Sequence, residues 1–151
     1  MKVLLPIITI LFSGFVTVNT PGIEAIRNCY SSAVTNKSIC SLMIKQLEND
    51  TENNISLAYL GVFQTIWANH VHNPFTKLHT FNKGKANINK AVTLEPSNVE
   101  IIYIRHSVQK NSPAFLGYKE NLKDDRISLL QKVNSITSPT LKKMVINLLN
   151  S

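Results

Sequence analysis

The sequence predicts an all-α fold, an antiparallel stack of helix hairpins with about seven helices after an N-terminal segment. Three observations predict it. No stretch of the 151 residues sustains period-two alternation with β-branched enrichment, so no sheet is expected. The chain is 44% hydrophobic, and its apolar residues recur at helical spacing, enough for one buried core. Pro21, Pro74, Pro96, Pro113 and Pro139 all fall between the periodic segments or in their first turns, where the missing N–H would have had no helical partner.

Residues 1–20, "MKVLLPIITILFSGFVTVNT", place Lys2 before an apolar run over residues 3–12, followed by Ser13, Gly14, Thr17 and Asn19. That is the three-part plan of a secretory signal peptide, and the run is short for a membrane span of about 20 residues. Pro6 counts against an internal structural helix. The expectation is a signal peptide over 1–20 and a single domain over 21–151, in an exported protein of the periplasm or cell envelope. No A-x-A site precedes Pro21, so an uncleaved N-terminal anchor is the alternative, and membrane contact is expected only in that case.

The two cysteines, Cys29 and Cys40, flank "SSAVTNKS". A hairpin turn there sets them at comparable heights on antiparallel helices. A Cys29–Cys40 disulfide is therefore expected in an oxidising compartment, with two buried free thiols as the alternative. Two lone cysteines do not make a zinc site.

Helices are expected over 22–34, 38–49, 54–72, 75–94, 98–111, 119–135 and 139–150. The last shows its start signal plainly: Ser138 caps, Pro139 follows, and Leu141, Met144, Val145 and Leu148 share a face. "ISLAYLGVFQTIWA" and "VEIIYIRHSV" are apolar nearly all round, which marks the inner layer. The expected core takes Leu57, Leu60, Phe63, Ile66, Trp67, Ile101, Ile102, Ile104 and Val108 from these two. Phe81, Ile88, Ala91, Leu129, Leu130 and Val133 join from their neighbours.

In "GKANINKAVTLEPSNVE", Gly84, Ile88, Ala91 and Pro96 stand at the spacings of the second helix of a tetratricopeptide repeat, and Leu60-Gly61 resembles the Leu-Gly of the first. Small residues there let paired helices approach. The segment over 57–98 thus resembles a divergent TPR-like helical domain. The longer run from Asn69 to Tyr118 is also similar to an uncharacterised family of secreted Bacteroidetes proteins with TPR-like organisation. One spacing departs from the pattern: Gly61 and Gly84 are 23 residues apart, whereas a repeat of about 34 residues sets them about a dozen apart. The extra length is expected in an enlarged joint around "NHVHNPFTKLH". The resemblance implies a groove that binds proteins or peptides and does no chemistry.

That joint holds His70, His72 and His79. On a continuing helix His70 and His72 point about 200° apart, and no Asp or Glu occurs between Asn53 and Leu94 to orient them or act as base. The same acid-free window holds Lys77, Lys83, Lys85 and Lys90. The helical wheel puts Phe75, Leu78, Phe81, Ile88 and Val92 on the buried side, Lys83 and Lys90 opposite, and Lys77 and Lys85 beside the stripe. Arg105 interrupts an apolar helix and requires a partner, with Asp124, Asp125 and Glu100 as candidates. If a binding site exists, Arg105, His106 and Gln109 are expected to meet Asn73 and Lys77 there. Phe115, Leu116 and Tyr118 of "SPAFLGY" are expected to pack into the next groove.

Sixteen Lys+Arg against nine Asp+Glu give a net charge of +7. The cations are scattered, without the arginine clusters or aromatic signatures of nucleic-acid readers, so no nucleic-acid partner is expected. No phosphate-binding glycine loop or nucleophile elbow occurs, and no cofactor is expected. The expected function is a non-catalytic protein-interaction or scaffold module with a protein or peptide partner. The alternative is a small metal-dependent enzyme centred on His70, His72 and His79.

Overall fold

The computed structural model describes residues 21–151, and the signal or anchor segment assigned to 1–20 lies outside the described residues. Within them the chain is all-α, with seven helices and no strand. They are α1 (Ile23–Thr35), α2 (Lys37–Leu47), α3 (Asn54–His70), α4 (Pro74–Leu94), α5 (Val99–Asn111), α6 (Leu122–Lys132) and α7 (Pro139–Asn150). Short 3-10 turns lie at Ala114–Leu116 and Val133–Ser135. Asparagines do most of the capping: Asn36, Asn53, Asn73 and Asn98 each accept two backbone N–H bonds at the start of α2, α3, α4 and α5. Ser138 caps α7 with one such bond, accepted from the N–H of Leu141. Each such cap satisfies orphan donors and is worth about 1 kcal/mol.

Helices α3 and α5 form the inner layer, as their all-round apolar sequences require. Leu57, Tyr59, Phe63, Ile101 and Ile104 are fully or almost fully buried. Of the core expectations one fails, at Leu130, and two are met only in part, at Trp67 and Val133. Trp67 is only half-buried, under the Lys37 ammonium 5.2 Å from its ring. Leu130 is 52% exposed on the outer face of α6. Val133 leaves the helix for the 3-10 turn that follows and packs at the edge of the core.

The α3–α4 hairpin is organised by its two glycines. A Cβ on Gly61 would lie 2.7 Å from the carbonyl oxygen of Gly84, and one on Gly84 would lie 2.7 Å from Thr65 Cγ2 and press on the Gly61 carbonyl. Only hydrogens allow the backbones to come this close. The long Gly61-to-Gly84 spacing is not an enlarged joint, however. The connection is only residues 71–73, because Asn73-Pro74 stops one helix and starts the next. The extra residues are helical, so α3 and α4 run on for about two and a half turns past the crossing. That overhang forms one wall of the groove described below.

A buried ion pair locks the outer hairpins to the inner layer. The Arg27 guanidinium on α1 grips the Glu100 carboxylate on α5 through two bonds of 2.8 and 2.6 Å, and the Tyr59 hydroxyl on α3 donates to Glu100 at 2.8 Å. Arg27 also reaches Glu24 and the Ser138 hydroxyl, which ties in the start of α7. Glu100 is therefore committed to Arg27 and is not the partner of Arg105.

The expected disulfide is not made: Cys29 and Cys40 are free thiols. Cys40 points into the core, where its thiol donates to the Phe63 carbonyl at 3.2 Å and burial pushes its pKa up to about 12. The single-residue connection at Asn36 makes a tight α1–α2 hairpin, and it turns Cys40 toward α3 and not toward Cys29.

Candidate functional site

Two groups of residues compete for the functional site, and both use α5. The first is the set the sequence singled out. Arg105 pairs with Asp125 on α6 through bonds of 2.8 and 2.5 Å, and this carboxylate raises the guanidinium pKa further. Gln109 is fully buried, its amide nitrogen 3.5 Å from Asn121 Oδ1. His106 is buried beside them, and loss of solvent lowers its pKa. The trio thus welds α5 to α6 and to the Asn121 turn, and it does not meet Asn73, which caps α4 at the joint. Of the five residues proposed from sequence, only Lys77 lines an open cavity.

That cavity is a groove of about 680 Å³ on the other side of α5. Its walls are the overhanging α3–α4 hairpin, with Ile66, Pro74, Lys77, Leu78 and Phe81, and the end of α5, with Ser107, Val108 and Asn111. Tyr30 and Val34 of α1 close one end, and Pro113, Phe115 and Leu116 of the connector after α5 form the lip. The connector is held from behind. Tyr118 is buried edge-on against Phe81, its hydroxyl donates to Asn89 at 2.8 Å, and the Lys85 ammonium lies 4.9 Å over its ring and 3.2 Å from the Gly117 carbonyl. Gly117 takes a left-handed conformation, φ 59°, that turns the chain there. With Tyr118 as anchor, Phe115 is left standing in solvent, 85% exposed, where the sequence had suggested packing.

The groove is more apolar than its composition implies. Thr65 and Ser112 donate to the Val62 and Val108 carbonyls of their own helices, at 2.7 and 2.6 Å. The Asn111 amide donates to the Ser107 carbonyl at 2.8 Å, and the Tyr30 and Ser107 hydroxyls bond each other at 2.6 Å. Burial raises the Tyr30 pKa, so that phenol stays neutral. Val34 and Leu78, each about half exposed, stand with Phe115 on the rim. Phe75, expected on the buried stripe with Leu78, is also exposed, because the start of α4 projects beyond the helices that would cover it.

Among the described residues Lys77 is the only charged side chain in the lining, and it has no ion-pair partner there. The other lysines of the acid-free window do not join it as a cationic face: Lys83 pairs with Glu48 at 3.6 Å, Lys85 lies against Tyr118 and Gly117, and Lys90, exposed on the same helix, is about 20 Å farther along it. Further cations cap carbonyls, Lys110 on Leu148 at 3.0 Å and Arg126 on Leu149 at 2.9 Å at the end of α7, and Lys132 on Ser97 at 2.8 Å. The histidines do not converge either. His70 is bonded to the Ala33 carbonyl at 2.8 Å, while His72 and His79 lie on the surface. Among the described residues no three His, Cys, Asp or Glu side chains are grouped to hold a metal ion, and no helix is long and apolar enough to cross a membrane.

Sequence reading missed Val34, Val108 and Phe115 as groove residues. The available signal was "SPAFLGY", where one aromatic too many for a short connector follows a proline. No family model, no curated protein and no solved structure matches the chain.

Proposed function

We propose that this chain is an exported, TPR-like helical module of the periplasm or cell envelope that binds or scaffolds a protein partner and does no chemistry. The groove between the hairpin overhang and the connector is its working surface. One observation carries the reading: Val34, Leu78 and Phe115 stand in solvent around a large groove whose hydroxyls are already bonded within the protein. Clustered exposed apolar side chains of this kind mark interaction sites.

The lining supports binding over catalysis because its titratable groups, among the described residues, are one amine and one neutral phenol, with no carboxylate, imidazole or thiol in the lining itself. Dispersal of the cations onto helix ends and aromatic rings weighs against nucleic acid as partner. The test compares the tagged chain with a Leu78→Asp/Phe115→Asp variant in pull-downs from envelope fractions. A saturable partner retained by the first and lost by the second is expected. Equal recovery by both, or no saturable partner, contradicts the reading.

A further inference from the structure

We infer that the groove takes an amphipathic α-helix with an acidic residue beside its apolar stripe, seated apolar face down with the carboxylate toward Lys77. The inference rests on the groove being the partner site and names what fits it. An extended peptide brings a row of unpaired N–H and C=O groups and needs matching groups from its host. This lining supplies no such row: Thr65, Ser107, Ser112 and Tyr30 are bonded within the protein, as is the Asn111 amide nitrogen, which leaves the Asn69 amide as a single free point of contact. A guest must therefore satisfy its own backbone, as a helix does.

Size points the same way. A helix about 10 to 12 Å across is broad enough to cover the exposed rim side chains Leu78 and Phe115, whereas a single acyl chain in the floor leaves them in water. Charge completes the match. Lys77 is unpaired at the edge of an apolar surface, and no carboxylate is among the described residues of the lining, so a guest carboxylate meets a cation there.

The probe is a labelled synthetic helix of about 18 residues, with leucines at i, i+3, i+4 and i+7 and a glutamate next to the stripe. It is titrated into the purified chain and followed by fluorescence anisotropy. Saturable binding is expected, lost with Leu78→Asp/Phe115→Asp, whose side chains are exposed and whose fold is checked by thermal melting. A central proline in the peptide should weaken binding about tenfold or more. Glutamate to lysine in the peptide should weaken it about threefold, with recovery on Lys77→Glu. Equal binding of the helical and proline-broken peptides overturns the helix and leaves the groove as partner site. Indifference to both charge changes overturns the role of Lys77. Saturable palmitate binding without any peptide binding, or no binding of either probe, overturns the inference and the protein-partner reading together.

Discussion

The two faces of α5 handle side chains in opposite ways. On one, Arg105, His106 and Gln109 are polar and packed away against Asp125 and Asn121; on the other, Val108 looks into a groove rimmed by exposed Leu78 and Phe115. A charge set in an apolar helix invites a functional reading, yet desolvation forces it to find an internal partner, which makes it structural. Apolar side chains pay little for standing in water one at a time. It is their gathering around a cavity that calls for a second molecule.

Breaking the polar face should have the largest effect. Asp125→Ala leaves Arg105 unpaired beside His106 and should cost about 3 to 5 kcal/mol, read as a lower urea midpoint at unchanged slope. Gly84→Ala should follow at about 2 to 3 kcal/mol, because the added methyl presses on the Gly61 carbonyl and Thr65. Its m-value and far-ultraviolet spectrum should stay those of the parent.

A smaller change comes with acid. Burial holds the His106 imidazole below its ordinary 6.5, so the folded state favours the neutral ring. The stability this confers is complete above that value and declines as pH falls through the lower folded pKa. His106→Gln should flatten that part of the pH profile, measured by denaturant unfolding across the range. Smallest of all, Phe115→Ser and Leu78→Ser should move stability by no more than about 0.5 kcal/mol, since both side chains already face solvent. A loss comparable to that of Asp125→Ala would mean the groove face is part of the core.

Much of the fold was legible because its signals are local. Asparagine and serine caps, prolines at first turns and two all-apolar segments set the helices and their layering. The Gly61–Gly84 approach was visible as small residues. What the spacing between them meant was not, since 23 residues fit either a long loop or two longer helices, and Asn73-Pro74 decided it. The site was less legible. Arg105 announced its need for a partner, and Asp125 was among the candidates, but which side of α5 faces the joint depends on tertiary packing. The helical wheel put Phe75 and Leu78 on the buried stripe correctly for a covered helix, and α4 begins beyond its cover. Cys29 and Cys40 were compatible in height, but the turn of α2 sends one of them into the core.

On the proposed function, the α3–α4 overhang and the connector, not the Arg105 cluster, form the working surface. The most direct measurement is the map of ¹H–¹⁵N and methyl shift changes when the helical peptide is titrated into labelled protein. Saturable changes are expected at Val34, Ile66, Leu78, Val108 and Phe115, with Asp125 and Gln109 quiet. Changes centred on Arg105, Asp125 and Asn121, or none at saturating peptide, would contradict it.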